Sequence, residues 1–344
     1  MAARKKLRPA KKAADILKNA NADAVKIKSL ERKIKAQQGI LDKYQEEQDQ
    51  RAPASFKLPR GKTRRPKGSF LRVVVPDVHG AYIDKTAAAT CLSDIEDLQP
   101  AEIVLLGDVV DCTAHLCAHR TTGVVAELAH SYEDDLAAAA TFLDRLREVA
   151  PTAKIEYLAG NHERRVDTWA ISTALKTGAP PEDVKSISQS LRQMYAPEIR
   201  LHLEKRKIAY YRWDVIYDGL RLPGAILRNG VILLHGISTS THAASQHINK
   251  IKSNGSHQGI VFGHTHRVDH ATSRAVDGSV LWAASPGCLC VTMPHYLYGK
   301  TFSEHNHAYA IQVVDPKTNS TWHANVPIDG KTSQLAPLLK QMTK

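Results

Sequence analysis

Short apolar runs, each ending in a polar loop, recur along the middle of the chain. The run over residues 71–75 is rich in valine and leads directly to Asp77 and His79. Apolar runs of this length, rich in β-branched residues, predict buried strands. Further strands of the same kind are predicted over residues 102–106, 154–158, 231–234 and 259–262.

Helical periodicity occupies most of the intervals between these strands. Helices are predicted over residues 85–98, 124–149, 166–176, 181–194 and 243–252. Residues 208–230 lack this period, and we expect irregular or antiparallel structure there, with Tyr210, Tyr211 and Trp213 in the core.

Beyond residue 266 the pattern changes to β-hairpins. Asp277-Gly278 is a tight-turn pair between two alternating strands, and residues 308–315 are expected to pair with 320–326. Alternating helices and strands followed by strand pairs predict an α/β fold, a layered αββα sandwich of mixed sheets.

The first fifth of the chain differs from the rest in charge. Residues 1–70 hold 20 Lys and Arg against 7 Asp and Glu, a net charge of +13, while residues 71–344 hold 27 basic and 28 acidic residues. We predict an N-terminal extension over 1–69, a catalytic domain over 70–326 and a tail over 327–344. The extension would comprise a basic arm, a helix over about 13–50 and a linker rich in proline and arginine.

The helix and the linker of this extension each allow two interpretations. The apolar residues of the helix lie at coiled-coil-like spacing, so the helix either docks on the catalytic domain or pairs with a second copy of the chain. The linker either contacts a nucleic-acid backbone or is a solvated tether. Its basic cluster consists of Arg60, Lys62, Arg64, Arg65 and Lys67.

The sequence carries no pattern of a secreted or membrane protein. We find no secretory signal and no apolar run long enough to span a bilayer. The 5 cysteines are too few and too scattered for a disulfide framework, which fits a cytoplasmic location. Cys288 and Cys290 are expected to be buried free thiols rather than half of a zinc site.

Each of the five predicted strands ends in a loop that carries Asp, Asn or His. The residues are Asp77 and His79, Asp108 and Asp111, Asn161 and His162, His235, and His264 and His266. Because the carboxyl ends of parallel strands meet at one edge of a sheet, these loops should converge. Carboxylate oxygen together with imidazole nitrogen is the ligand set of transition metals rather than of calcium.

The order of these loops resembles the calcineurin-like metallophosphoesterase superfamily. That family has the motifs D-x-H, G-D-x-x-D, G-N-H-[DE], H and G-H-x-H, and all five occur between residues 71 and 287. The resemblance implies two divalent metal ions, with manganese expected and iron, zinc, cobalt or nickel as alternatives. It also implies that Ser285-Pro286-Gly287 forms the turn that closes the site.

The resemblance further implies a role for each loop residue. Asp77, His79 and His266 would bind the first metal, and Asn161, His235 and His264 the second, with Asp108 bridging both. A hydroxide bridging the metals would attack phosphorus, His162 would be the general acid and Asp111 would orient it.

The substrate is less sharply defined by the sequence than the reaction. The protein phosphatase branch of the family has an arginine after its second motif to hold phosphate, and Cys112-Thr113 replaces the Arg-Gly pair here. The last motif is closer to phosphodiesterases and nucleases. With the basic extension, this favours cleavage of phosphodiesters in nucleic acid.

Two alternatives stay open. One is a phosphomonoesterase that acts on phosphoprotein or on a dinucleotide polyphosphate, with the basic arm used for docking. The other is a nucleic-acid-binding protein without activity. Candidate substrate contacts are Arg164 and Arg165, which could instead be a surface pair at a helix start, and His115 and His119, which could instead be surface or packing residues.

Overall fold

The computed structural model describes residues 68–112, 116, 130–212, 215–217, 220–222, 224–251, 257–274, 278–293 and 303–337. The predicted arm, the helix over 13–50 and the basic cluster of the linker lie outside these residues. So do His115, His119 and Trp213.

The described strands form two principal sheets and one hairpin. The strands of the first half are β1 (Phe70–Val75), β2 (Glu102–Leu105), β3 (Lys154–Leu158), β4 (Ile208–Tyr211), β5 (Val215–Tyr217), β6 (Leu220–Leu222) and β7 (Ile226–Arg228). Those of the second half are β8 (Val231–Leu234), β9 (Gly259–Phe262), β10 (Val268–Arg274), β11 (Val280–Pro286), β12 (Ala308–Asp315), β13 (Ser320–Asp329) and β14 (Thr332–Ser333).

The described helices lie between these strands. They are α1 (Lys85–Leu98), α2 (Tyr132–Val149), α3 (Glu163–Leu175), α4 (Pro181–Tyr195), α5 (Pro197–Arg200) and α6 (Ala243–Lys250). Among the described residues, no helix combines the length and the apolar composition that crossing a bilayer requires.

Both sheets mix parallel and antiparallel pairs. The first has the order β14-β13-β12-β1-β2-β3-β4, in which β1 to β4 run parallel and β12 pairs antiparallel with β1. The second has the order β10-β11-β9-β8-β7, in which β11, β9 and β8 run parallel. The hairpin consists of β5 and β6.

Alternation along the strands builds a four-layered core. Val73 and Val75 of β1 belong to the apolar cluster that includes Leu143 of α2. Val74 points the other way, into a cluster with Val261 of the second sheet. A third cluster joins the outer face of the second sheet to α6. Because successive strand residues face opposite sides, one strand serves two layers, and the predicted αββα sandwich of mixed sheets is confirmed.

Several predicted bounds shift by a few residues, and three departures have a clear physical reason or change the topology. The predicted helix 124–149 is wrong at residues 130 and 131, because Ser131 caps α2 and accepts a hydrogen bond from the Asp134 N–H. Helix α3 begins at Glu163 rather than at 166. Strand β4 pairs parallel with β3, so this part of 208–230 is neither irregular nor antiparallel.

Candidate metal centre

The side chains of all five predicted loops lie close together. Strands β1, β2 and β3 end in the loops of Asp77, Asp108 and Asn161, and strands β8 and β9 of the second sheet end in the histidine loops. A hydrogen bond links the first loop to the last: the backbone N–H of His264 donates to the carboxylate of Asp77, with its nitrogen 3.0 Å from both oxygens. The carboxyl ends of both sets of parallel strands therefore meet at one place.

The first set of donor atoms gathers around His79. Its Nε2 lies 3.1 Å from His266 Nε2, 3.9 Å from Asp77 Oδ1 and 3.8 Å from Asp108 Oδ2. His266 Nε2 in turn lies 3.3 Å from Asp77 Oδ1. Neighbouring ligands of one first-row metal ion are about 3–4 Å apart when each metal–ligand bond is about 2 Å.

The second set gathers around His235. Its Nε2 lies 2.8 Å from Asn161 Oδ1, 3.2 Å from His264 Nδ1 and 3.2 Å from Asp108 Oδ2. The same oxygen of Asp108 therefore belongs to both sets. The other carboxylate oxygen of Asp108, Oδ1, accepts a hydrogen bond from the backbone N–H of His162 at 2.9 Å, which fixes the direction of the carboxylate.

The chemistry of these donors fits divalent transition metals. Among the described residues, three groups of donors are close enough to hold an ion: His79, His266 and Cys290; His79, Asp108 and His162; and Asp108, His235 and His264. Asp77, Asp108 and His235 are at most 1% exposed, so their charges face one another away from water. Buried carboxylates beside imidazoles and an amide oxygen form a donor set suited to such a cation.

The carboxylates of the cluster raise the pKa of two of its histidines. Burial alone would lower the pKa of His235, but the charge of Asp108 and a hydrogen bond to it raise this pKa to about 9. Burial would likewise lower the pKa of His266, but Asp77 raises it to about 9. The carboxylates thus favour positive charge among these donors, which a divalent ion would also supply.

Three of the four predicted ligand histidines have a contact at the second ring nitrogen. His235 Nδ1 lies 2.9 Å from the carbonyl oxygen of Leu106, and His79 Nδ1 lies 2.8 Å from Asp111 Oδ1. His266 Nδ1 lies 3.8 Å from the sulfur of Cys290. Such contacts select the tautomer that turns the other nitrogen to the centre. Cys288 and Cys290 are buried free thiols, as predicted.

The chain turns sharply at the predicted ligands themselves. His79, Asp108, His264 and His266 have φ between 49° and 70°, the left-handed region that residues other than glycine seldom adopt. Gly160 allows the loops to touch, because a Cβ there would lie 2.1 Å from Asp108 Oδ1. Strained backbone and close contact between the loops therefore occur together at the cluster.

Two buried carboxylates without a predicted role tie the loops together. Glu163 accepts the N–H groups of Asp108 at 3.0 Å, Val109 at 2.9 Å and Gly160 at 2.7 Å. Burial first, and then the charge of Asp108, raise the pKa of Glu163 to about 7.

Asp135, in the first turn of α2, accepts the N–H groups of Ala81, Asp111 and Cys112 at 2.7–3.1 Å. It therefore joins the first loop to the second. Glu163 could have been noticed as the last residue of the G-N-H-E motif. Asp135 has no sequence signal, because its role depends on where α2 packs.

His162 and Asp111 lie at the accessible edge of the cluster. Asp111 Oδ1 lies 2.9 Å from His162 Nδ1, and His162 Nε2 lies 3.6 Å from Asp108 Oδ2. The side chains of His162 and Asp111 are 13% and 15% exposed. These two side chains are therefore partly exposed, whereas Asp77, Asp108 and His235 are buried.

Of the two predicted substrate-binding arginines, the fold brings one to this edge and turns the other elsewhere. Arg165 Nη1 donates to the carbonyl oxygen of Asp111 at 2.7 Å, and its Nη2 lies 3.0 Å from His162 Nε2. Arg164 instead lines a small cavity with Asp167 and Arg192. Ser285 is fully buried at the end of β11, beside the last loop, where its hydroxyl lies 2.9 Å from that of Thr265.

Comparison with known proteins gives likenesses of structure. No family model and no curated protein matches the sequence. Vacuolar protein sorting 29 from Cryptosporidium parvum is 10% identical, with a TM-score of 0.37 over 78% of this chain and 95% of that one. The Escherichia coli phosphoesterase YfcE is 17% identical, with a TM-score of 0.31 over 75% and 100%.

A predicted phosphoesterase from Streptococcus pneumoniae is 11% identical, with a TM-score of 0.31 over 77% and 96%. The strand order of the two mixed sheets and the helices packed on them define the fold as an αββα sandwich. The order of its five loops resembles that of the calcineurin-like metallophosphoesterases.

Proposed function

We propose that this chain is a metal-dependent phosphoesterase with a site for two divalent ions. One observation carries the proposal: Asp108 Oδ2 lies within 3.8 Å of His79 Nε2 and 3.2 Å of His235 Nε2, so a single oxygen serves both donor sets. A carboxylate that bridges two ions holds them at the short separation that phosphoester hydrolysis uses. Manganese is the metal we propose, and iron, zinc, cobalt or nickel would suit the same donors.

The residues that would hold the ions follow from the two sets. The first ion would be held by Asp77, His79 and His266, the second by Asn161, His235 and His264, and both by Asp108. When bound, such ions supply Lewis acidity, which lowers the pKa of water and offsets the charge of a phosphate.

The side chains at the edge of the cluster would handle the leaving group. His162 Nε2 lies 3.6 Å from Asp108 Oδ2 and accepts from Arg165 Nη2 at 3.0 Å. It would give a proton to a departing alkoxide once it is protonated and Arg165 no longer donates to it. Asp111 accepts a hydrogen bond from His162 Nδ1 and holds the ring in place. Because Asp111 Oδ1 also lies 2.8 Å from His79 Nδ1, one carboxylate aligns the acid with the first donor set.

The substrate we propose is a phosphodiester, with nucleic acid as the leading class. The support comes from the sequence: the net charge of +13 in residues 1–70 and the last motif, His264-Thr265-His266. Clustered lysine and arginine bind phosphate backbones without regard to sequence, so the extension would raise the local concentration of substrate. The alternative is a phosphomonoester, with the extension used for docking.

Parallel assays test the proposal and separate these substrates. The full chain loaded with Mn²⁺ should hydrolyse bis-p-nitrophenyl phosphate faster than p-nitrophenyl phosphate, and a chelator should abolish both activities. DNA and RNA should bind more weakly without residues 1–69, and the binding should fall with salt. A faster monoester rate would favour the alternative, and no metal-dependent hydrolysis of either ester would refute the proposal.

A further inference from the structure

In the second loop, Cys112 stands where the protein phosphatase branch of the resembling family has its phosphate-binding arginine. Cys112 is fully buried, and its backbone N–H donates to Asp135 Oδ2 at 2.7 Å. Its φ of 49° turns the chain away immediately after Asp111. If the site binds phosphate through an arginine, that arginine comes from another part of the chain.

Arg165 brings a guanidinium to this edge from the third loop. It lies in the first turn of α3, three residues after His162. Its Nη1 donates to the carbonyl oxygen of Asp111 at 2.7 Å, and its Nη2 lies 3.0 Å from His162 Nε2. The guanidinium is therefore one imidazole ring away from Asp108, the carboxylate that both donor sets share.

The side chain of Arg165 is also partly exposed, although most of the cluster is buried. The side chains of Arg165 and Asp111 are each 15% exposed and that of His162 is 13% exposed, whereas Asp77 and His235 are fully buried. Asn161 and His264 are partly exposed as well, so a phosphate that approached on this side would meet Arg165 close to the donor atoms.

At this edge Arg165 contacts the carbonyl oxygen of Asp111, the imidazole of His162 and, at 3.7 Å, the carboxylate of Asp111. A guanidinium presents several N–H donors in a planar fork that matches two phosphate oxygens. Arg164, although adjacent in sequence, lines a separate cavity with Asp167, Arg192 and Glu198.

We propose that Arg165 is the phosphate-binding cation of this site and replaces the arginine that the second loop lacks. The proposal deepens the phosphoesterase function proposed above and rests on it. Arg165 would hold a non-bridging oxygen of the substrate phosphate beside His162, so that the leaving group faces the imidazole.

Binding of inorganic phosphate to the Mn²⁺-loaded full chain, measured by calorimetry, tests this directly. Arg165→Ala should weaken phosphate binding by about 10- to 100-fold, the usual effect of losing a charge-assisted hydrogen bond. Arg165→Lys should restore part of the affinity, because lysine keeps the charge and loses the fork. Arg145→Ala, which removes an exposed arginine on α2, is the matched control and should stay within about twofold of wild type.

Kinetics on bis-p-nitrophenyl phosphate separate binding from positioning. If Arg165 binds phosphate, Arg165→Ala and Arg165→Lys raise KM as well as lowering kcat, with metal content unchanged. Unchanged phosphate affinity and KM with a lower kcat would mean that Arg165 only supports His162 and Asp111, and would overturn the proposal. Circular dichroism verifies that each variant is folded. If Arg165→Ala does not fold, the phosphate affinity and KM of Arg165→Lys test the proposal instead.

The two proposals can fail separately. Hydrolysis by wild type, with phosphate affinity independent of Arg165, would overturn the role of Arg165 alone. Phosphate binding that depends on Arg165, without hydrolysis of any phosphoester, would overturn the enzymatic function alone.

Discussion

Replacing Glu163 by alanine tests whether a buried carboxylate holds the second and third loops together. Its oxygens accept four backbone N–H groups, those of Asp108, Val109, Val110 and Gly160, at 2.7–3.3 Å. The hydroxyl of Tyr157 donates to it as well, at 2.5 Å. Alanine would leave these donors buried without an acceptor.

The size of the effect follows from two opposing contributions. Four orphaned backbone donors at about 1–2 kcal/mol each would cost about 4–8 kcal/mol. Removing the carboxylate also removes the cost of burying it. Its pKa is raised from 4.5 to about 7, chiefly by burial and then by Asp108, which corresponds to about 3 kcal/mol. We therefore expect Glu163→Ala to lower the free energy of unfolding by about 3 kcal/mol.

Urea-induced unfolding of the chelated protein measures this without a contribution from bound metal. The midpoint should fall while the slope of the free energy against urea stays unchanged. Glu148→Ala is the matched control: its side chain is 64% exposed in a surface ion pair, so it should change stability by less than about 0.5 kcal/mol. A Glu163→Ala protein as stable as that control would refute the bracing role of Glu163.

Three further predictions follow from the same structure. His162→Ala should keep its metal content and lose about 10²- to 10⁴-fold in turnover, and wild-type rates would contradict its role as the acid. Asp135→Asn should lower stability by about 1–3 kcal/mol and weaken metal binding, because one amide oxygen replaces two acceptors for three backbone N–H groups; an unchanged melting temperature and affinity would contradict this. Burial lowers the pKa of His247 to about 4, and its Nε2 accepts the N–H of Ile237, so the folded chain takes up its proton at lower pH than the unfolded chain does. Stability should therefore fall as the pH is lowered from about 6.5 to about 4, by about 3 kcal/mol from this residue, and the loss should be smaller in His247→Gln; equal losses would contradict the assignment.

The strands were predictable because their signal is local. Predictions for residues 154–158, 231–234 and 259–262 match β3, β8 and β9 to the residue, since short valine- and isoleucine-rich runs bounded by glycine or charge have few other conformations. The convergence of the five loops was predicted at the edge of one sheet, because parallel strands align their carboxyl ends. The loops do converge, but they come from two sheets, and the packing of one sheet on the other has no local signal.

Helix ends and supporting residues were harder to predict for physical reasons. Helix α2 begins at its Ser131 cap, a signal that is present in the sequence but weaker than the alanine-rich composition around it. Strand β4 pairs with β3 across the intervening helices, so its direction depends on tertiary packing. The same holds for Asp135 and for the turn of Arg165 toward His162, which depend on where a helix packs and not on its sequence alone.

The metal content of the purified full chain tests the central claim most directly. After equilibration with Mn²⁺ and removal of free metal, elemental analysis should find two ions per wild-type chain and no more than one in Asp108→Asn, because Asp108 Oδ2 serves both donor sets. A wild-type chain that retains no metal, or an Asp108→Asn chain that retains both ions, would contradict it.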